Sequence, residues 1–447
     1  MDSSKKYFSV LIVFAVINGL LCGYTYGVVA GLIPLLEKSQ VLSSNTQISI
    51  FAGAIALGCL LASIYTGILE DIFGRKKVMI LTLLFFMAGL ILFVFCRTFA
   101  SIYVSRTLQG IGFGMAQVVV PMYLSELSPN RERGRVITSF QLSLTGGILL
   151  SSLLNIWLLP LTNWENIFYV LNIFPILLIL ITFILPESPR WYILKGHIDK
   201  AEKVLFKMNK KEDAEEELNK IKQLGKSHTN LSYKSIFKRK YFIPILIVTA
   251  AVSLNQLFGL PAFIQCSMKI LHDTGIKSTV IDLLGSASIT GINFLAVILT
   301  MLLVEKLGRR KILKIGNTAL CISLVVLALV NFFMPDNELK GYITLIGIVV
   351  IVGFFSFGPG GVIFLICTEL LPNKVRGIGI TISFIVGATV GFVFVSMFLP
   401  LADVIGYGGL FLLIACFMFC YILLAKVIPE TKGKTLEEIE MIFDKNK

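Results

Sequence analysis

Apolar stretches of about 20 residues, the length that a helix needs to cross a bilayer, recur along the whole chain. Short polar or charged segments separate them. Inside hydrocarbon the backbone N–H and C=O groups must be satisfied within the segment itself, which favours helices. The pattern therefore predicts twelve transmembrane helices, at 8–30, 48–69, 78–96, 101–124, 135–157, 164–185, 242–268, 280–304, 311–333, 342–368, 376–399 and 405–427.

Composition supports an all-α membrane protein. The chain is 56% hydrophobic and 15% charged, with a mean hydropathy of +0.84. A soluble domain usually has about 25% charged residues. The lipid bilayer is thus the first partner that the sequence predicts.

The distribution of basic residues predicts the orientation of the twelve helices. Of 40 Lys and Arg residues, 34 fall on one side of the predicted spans and five on the other, and Arg106 lies inside a span. Cytoplasmic segments carry such an excess, so both termini and the 190–240 segment are expected in the cytoplasm. This bias also accounts for the net charge of +13, so nucleic acid is not expected as a partner.

Charged motifs at the span ends occur twice, which indicates an internal duplication. The pairs are Glu126–Gly134 with Glu369–Gly377, Pro186–Ser188 with Pro429–Thr431, and Asp71–Lys76 with Glu305–Arg310. Duplicated membrane halves are typical of secondary transporters, whose substrate site lies between the repeats. The predicted domains are a six-helix bundle at 1–185, a cytoplasmic linker with short helices at 186–240, a second six-helix bundle at 241–428 and a cytoplasmic tail at 429–447.

Candidate enzyme and cofactor motifs fail on spacing. Gly433-Lys434-Thr435 lacks the earlier glycine of a phosphate-binding loop, because Ile428 occupies that place. Three glycines at 110, 112 and 114 imitate a dinucleotide fingerprint, but they lie within an apolar helix. The three histidines are scattered and the eight cysteines form no metal-binding pattern. We expect no enzymatic activity, no cofactor and no metal.

The duplicated charges predict a gate at the cytoplasmic ends of the helices. Partly buried Arg–carboxylate pairs are directional, and they could join one half to the other when the cytoplasmic side is closed. We expect Arg75 and Arg133 to reach Glu369 or Glu430, and the arginines of the second half to reach Glu126 or Glu187. The predicted gate residues are Asp71, Arg75, Glu126, Arg133, Glu187, Glu305, Arg309, Glu369, Arg376 and Glu430. Solvated helix ends are the plainer alternative.

Several motifs together carry a family resemblance over essentially the whole chain. They are Gly67–Lys76, Arg106 with Gly110, Pro121–Gly134, Gln141-Leu142, Pro186–Trp191, Glu305–Arg310 and Pro429–Gly433. This set resembles the sugar porter family of the major facilitator superfamily. The resemblance implies two six-helix bundles with a cytoplasmic helical insert, which work by alternating access. Insect trehalose and hexose facilitators are among the similar proteins.

The same resemblance implies a sugar site made of amides. Gln141 matches a sugar-binding Gln on the fifth span, Asn255 and Gln256 keep amides at two binding positions of the seventh, and Asn293 matches an Asn of the eighth. Phe364 replaces a Trp on the tenth span. An amide both donates and accepts hydrogen bonds, which suits a ligand with many hydroxyls. An interhelical hydrogen bond is the alternative role for each of them.

Other positions depart from the family pattern. Pro261 stands where an Asn is usual, and Gly387, Ala388 and Gly391 replace Asn, Trp and Asn on the eleventh span. These losses predict a wider and less polar half-site in the second bundle.

Energy coupling is read from the first span. Proton-coupled members of the family carry Gly-Tyr-Asp, whereas this chain has Gly23-Tyr24-Thr25. Arg106 remains, but its titrating partner is missing. The resemblance therefore implies a uniporter for a hexose or trehalose-like sugar, which functions as a monomer in the plasma membrane. A proton-coupled sugar or polyol symporter and a transporter-like sugar receptor with little flux remain as alternatives.

Overall fold

The structure is a computed structural model, and every regular element in its described part is a helix. The described residues are 3–95, 98–128, 132–158, 168, 171–208, 239–276, 278–335, 337–372 and 375–432.

Helices of the first part of the chain follow the predicted apolar windows and extend a few residues beyond most of them. They are α1 (Ser3–Gly27), α2 (Val29–Lys38), α3 (Asn45–Phe73), α4 (Arg75–Phe95), α5 (Phe99–Leu127), α6 (Arg133–Leu158), α7 (Ile173–Ile184), α8 (Pro189–Leu194) and α9 (Ile198–Met208). A capping box of Thr98 and Ser101 begins α5. The cap satisfies N–H groups that have no partner within the helix.

Helices of the second part show two breaks that the apolar windows did not reveal. They are α10 (Arg239–Gln256), α11 (Leu260–Gln265), α12 (Ser267–Asp273), α13 (Thr279–Leu307), α14 (Arg309–Phe333), α15 (Glu338–Phe357), α16 (Pro359–Leu370) and α17 (Arg376–Val427). The seventh predicted span breaks at Gly259, which has a φ of 73°. The tenth breaks where Gly358 precedes Pro359, since proline disfavours a helical conformation in the residue before it.

These helices together make up twelve membrane crossings. Nine helical stretches in the described part are long and apolar enough to span a bilayer. One of them, α17, has 52 residues and contains a non-helical residue, Gly406, which divides it into two spans. The other two crossings are α5, which carries Arg106 and Glu126, and the short apolar α7. The predicted all-α membrane fold with twelve transmembrane helices is confirmed.

Contacts group the chain into two compact units. Unit 1 comprises Met1–Tyr26, Gly58–Leu150 and Thr162–Asn230, and unit 2 comprises Gly27–Leu57, Ser151–Leu161 and Leu231–Lys447. This grouping is not the division at 185 and 240 that the sequence predicts, and those boundaries stay a prediction.

The beginning of the predicted insert is helical, as α8 and α9. Leu205 on α9 is buried, and Ile193 and Phe206 pack against it. The rest of the predicted helical stretch, from 209 to 224, lies outside the described residues.

Candidate functional site

Arg75 is the centre of a mostly buried group of charges in unit 1, which we call the first charged cluster (Asp71, Arg75, Glu126 and Glu187). Its Nε lies 3.1 Å from Oε2 of Glu126 on α5, and both side chains are about 95% buried. Nη1 also lies 3.7 Å from the exposed carboxylate of Asp71. A planar guanidinium beside a carboxylate holds the ends of α3, α4 and α5 in a fixed geometry.

Glu187 completes the first charged cluster by capping α4. Its carboxylate accepts hydrogen bonds from the backbone N–H of Lys76, at 3.1 and 3.2 Å, and from the N–H of Ser188 at 2.8 Å. The start of a helix attracts negative charge, because its first N–H groups lack helical partners. Gly74, with a φ of 92°, lets the chain turn against this carboxylate.

A matching arrangement in unit 2 forms the second charged cluster (Glu305, Arg309, Glu369 and Glu430). Nη2 of Arg309 lies 2.8 Å from Glu305 and 2.9 Å from Glu369. Glu430 caps α14, because it accepts from the N–H of Arg309 at 3.0 Å and from the N–H of Arg310 at 3.1 Å. The duplicated motifs therefore build the same local structure twice.

The partners described for these arginines belong to the same unit as the arginine. Arg75 pairs with Glu126, and Arg309 pairs with Glu305 and Glu369. Each motif brings an acid and a base to the same end of one unit, so the local pair forms without any second unit. The predicted pairing with the other half, which applies when the cytoplasmic side is closed, stays a prediction.

The remaining predicted gate arginines lie at the starts of their helices. Arg133 begins α6 and is half-buried. Arg376 begins α17, and its Nε donates a hydrogen bond of 3.3 Å to the carbonyl of Leu371. The structure thus places all ten predicted gate residues at helix ends or directly beside them.

Arg106 is fully buried within unit 1. Its Nη1 donates to the main-chain carbonyl of Thr25 at 3.0 Å and to Oε1 of Gln109 at 2.7 Å. The hydroxyl of Thr25 donates to carbonyls of its own helix, those of Leu21 and Cys22. Arg106 therefore contacts α1 through the backbone of Thr25.

The predicted substrate amides lie on separate helices. Gln141 is half-buried on α6 in unit 1. Asn255 and Gln256 are half-buried at the end of α10 in unit 2. A side chain at Gly391 would meet the Gln256 amide at 3.4–3.5 Å, and one at Gly387 would meet Val252. Side chains of α10 therefore occupy part of the space beside these two glycines.

Asn293 has an interhelical role. It is buried, and its Nδ2 donates a hydrogen bond of 2.8 Å to Oγ of Ser356, which joins α13 to α15. Phe364 on α16 is 53% exposed and packs beside Phe384, with ring centroids 5.5 Å apart. The Asn293 contact is the alternative that the sequence left open for each amide.

Sequence reasoning missed a polar network in unit 2 on the side that carries few basic residues. Nζ of Lys269 lies 3.2 Å from Asp273 and 3.6 Å from Glu37, and the hydroxyl of Tyr407 donates to Asp273 at 2.9 Å. Partial burial opposes charge on Lys269, but the two carboxylates outweigh it and raise the pKa of the amine. The spacing of Lys269 and Asp273, four residues apart on α12, was the only sequence signal.

Metal chemistry finds no support in these groups. Among the described residues, no set of three or more His, Cys, Asp and Glu side chains could hold a metal ion.

Comparison with known proteins identifies the family. The family model described as sugar (and other) transporter matches residues 11–443. The D-xylose transporter of Levilactobacillus brevis is 30% identical over 432 residues, with 96% of this chain and 94% of the relative covered. The galactose-proton symporter of Escherichia coli (strain K12) is 28% identical over 444 residues, which cover 98% and 95% of the two chains.

A solved structure shares the fold. The xylose transporter XylE from E. coli matches with a TM-score of 0.81 at 22% identity, over 96% of this chain and all of the other. The chain is a multi-pass membrane protein, and these relatives and this solved structure are sugar transporters rather than enzymes. The chain therefore belongs to the sugar (and other) transporter family.

Proposed function

We propose that this protein is a uniporter, which carries a hexose or a trehalose-like sugar down its gradient by alternating access. The observation that supports this proposal is the contact between Arg106 and the main-chain carbonyl of Thr25. A backbone carbonyl does not titrate at physiological pH, and neither does a threonine hydroxyl. The carboxylate that would couple a proton to the sugar is thus absent from this position.

The substrate would be held by amides on both repeats. Gln141, Asn255 and Gln256 are half-buried polar side chains on helices that cross the membrane, and such groups usually face a cavity or a partner. Phe364 would supply an aromatic face beside them. Asn293 would support the site from behind through Ser356, with no direct contact to sugar.

Orientation and gating follow from the charge distribution. The protein would work as a monomer in the plasma membrane. Both termini and both charged clusters would face the cytoplasm. The clusters would rearrange when the cytoplasmic side closes, and Arg133 and Arg376 would then join carboxylates of the other repeat. We also propose that the chain divides into two six-helix bundles, at 1–185 and 241–428, with a linker between them and a tail after the second.

Uptake into proteoliposomes tests the uniporter. Purified protein should catalyse exchange and net uptake of one sugar from a panel of hexoses, D-xylose, trehalose and polyols. The rate should not change when a protonophore abolishes the proton gradient at clamped voltage. Sugar-driven alkalinisation of the medium would contradict uniport. Specific binding without flux would instead favour a receptor.

A proton symporter is the second candidate, because the similar galactose-proton symporter shows that proton coupling occurs among the relatives. Arg106 is also retained here. The same experiment separates the two, since a symporter accumulates sugar above its equilibrium level when a proton gradient is imposed.

A further inference from the structure

The two charged clusters provide an internal comparison, because the duplication gives most residues of one a counterpart in the other. Gly74 and Gly308 both have a positive φ, 92° and 88°. The N–H of each donates a hydrogen bond of 3.0 Å to the carbonyl four residues earlier, which belongs to Glu70 in unit 1 and to Val304 in unit 2. Glu70 and Val304 therefore occupy equivalent places.

Glu70 is a buried acid without an acidic counterpart in the other repeat. Unit 2 has three acids (Glu305, Glu369 and Glu430) beside Arg309 and Arg310. Unit 1 has their three counterparts (Asp71, Glu126 and Glu187) beside Arg75 and Lys76, and has Glu70 in addition. An apolar side chain, Val304, completes the same arrangement in unit 2, so the cluster does not need a charge at this place.

Burial makes a negative charge on Glu70 costly. Glu70 is 1% exposed, and its Oε1 has no hydrogen-bond partner among the described residues. An ionised carboxylate out of water is very unfavourable unless it is paired and hydrogen-bonded. A protonated carboxyl in the same place carries no charge.

The bases around Glu70 are already engaged with other groups. Arg75 faces Glu126 and Asp71, and it contacts Glu70 only through the backbone carbonyl, at 3.3 Å. Lys76 directs its Nζ to the carbonyls of Phe183 and Leu185, at 3.0 and 2.8 Å.

Four charged groups of the described residues act on Glu70. They are Asp71 on α3, Arg75 on α4, Glu126 on α5 and Glu187 before α8. Burial has the largest effect and opposes ionisation of Glu70. Among the charges Arg75 has the largest effect and favours ionisation, whereas the three acids disfavour a further ionised carboxylate.

We propose that Glu70 is a proton-binding site, and that in this conformation its carboxyl holds a proton and resembles the apolar Val304 of the other repeat. The proton comes from water, and release leaves the carboxylate. Any rearrangement that hydrates the first charged cluster lowers the cost of ionisation, so proton binding favours the conformation described here. Transport would then respond to pH without carrying the proton across the membrane.

Infrared spectroscopy of the purified protein tests the site without any transport measurement. A protonated carboxyl gives a carbonyl stretch that shifts in D2O, and buried glutamates can keep their protons up to about pH 8–9. We expect this band in the wild type at neutral pH, and we expect its loss in Glu70→Gln and Glu70→Val. Glu202→Gln, which removes an exposed carboxyl on α9 outside the cluster, should leave the band unchanged.

A second readout is the pH dependence of sugar exchange with equal pH on both sides. The wild-type rate should change between about pH 6 and pH 9, the range reached by buried glutamates, and Glu70→Val should flatten the profile. The Glu70→Val protein should also fold, because Val304 occupies the equivalent position in unit 2. A wild-type protein without the band, a band that persists in both variants, or a Glu70→Val protein that does not fold would each overturn the proposal. Failure of uniport alone would leave the infrared result intact.

Discussion

Arg106 donates a hydrogen bond of 3.0 Å to the main-chain carbonyl of Thr25, across two membrane-spanning helices of unit 1. The contact uses the backbone of α1, so it does not depend on which side chain stands at position 25. A buried arginine needs acceptors for its donors, and here Gln109 provides a second one at 2.7 Å. The charge of Arg106 thus has a structural role, since it joins α5 to α1.

Replacement of Thr25 and Arg106 should therefore have unequal effects. Thr25→Val removes a hydroxyl that bonds only to its own helix, and we expect a loss of stability below about 1.5 kcal/mol. Arg106→Ala leaves the Thr25 carbonyl and the Gln109 amide without their donor, and we expect a loss of about 1–3 kcal/mol for each such group. Unfolding of the purified variants measures both, and equal losses would contradict the backbone contact.

Gln141→Ala and Gln256→Ala should each weaken sugar binding by about 1–3 kcal/mol, because a buried ligand hydroxyl would lose its partner. Expression at the membrane should stay near that of the wild type. Apparent affinity from concentration-dependent uptake is the measurement, and Gln47→Ala, on α3 and outside the proposed site, is the control. Unchanged affinity in both variants would place the sugar elsewhere.

Asn293→Ala should behave differently from these two variants. The lost bond to Ser356 should destabilise the protein by about 1 kcal/mol, with little change in sugar affinity. A double-mutant cycle with Ser356→Ala measures the coupling directly, and the double variant should cost less than the sum of the single ones. Additive losses, or a selective loss of affinity, would mean that Asn293 contacts the sugar instead.

Gly308→Ala should destabilise unit 2 by about 1–3 kcal/mol, because Gly308 has φ 88° and ψ 156°, a conformation that only glycine adopts readily. The Glu430 carboxylate also lies within 3.0 Å of the position that a Cβ would take. Gly377→Ala is the matched control, since Gly377 is helical and has open space around it. The control should be neutral or slightly stabilising in thermal unfolding. Similar Tm shifts for both variants would contradict the strained turn.

Arg133→Ala should shift the conformational balance towards a state that is open to the cytoplasm. A shift of about 1–3 kcal/mol would change the ratio of states about 5- to 150-fold. Labelling of a cysteine at Ser139 on α6, in a background without reactive native cysteines, measures this shift and should rise.

Arg135→Ala is the matched control for Arg133→Ala. Arg135 lies two residues further along, and its side chain is 73% exposed beside Glu132. Labelling that is equal in the Arg133 variant, the control and the wild type would make Arg133 a solvated determinant of topology only.

The apolar windows predicted the helices well, because lipid imposes one length and one polarity on every crossing. They failed where backbone conformation decides the outcome. At Gly259 and at Gly358-Pro359 the flanking residues are apolar, so hydropathy continues through a break in the helix. At Gly406 the windows correctly separated two spans, although the helix is continuous apart from that residue.

The charged motifs predicted which residues gather at the helix ends, but not their partners. Sequence alone cannot distinguish Glu126 from Glu369 as the partner of Arg75, because both belong to copies of the same motif. The contact of Asn293 with Ser356 was equally hidden, since 63 residues separate the two. The buried position of Glu70 becomes informative only when the two repeats are compared in three dimensions.

The anchoring of Glu187 has a mechanical consequence for the segment that follows it. The hydroxyl of Tyr123 donates to the Pro186 carbonyl at 2.5 Å, and the indole N–H of Trp191 donates to the Asp71 carbonyl at 3.2 Å. Together with the cap on α4, these bonds clamp α8 to three different helices of unit 1. A rotation of unit 1 would therefore move α8 as part of the same rigid body. The start of the insert would follow that rotation without bending.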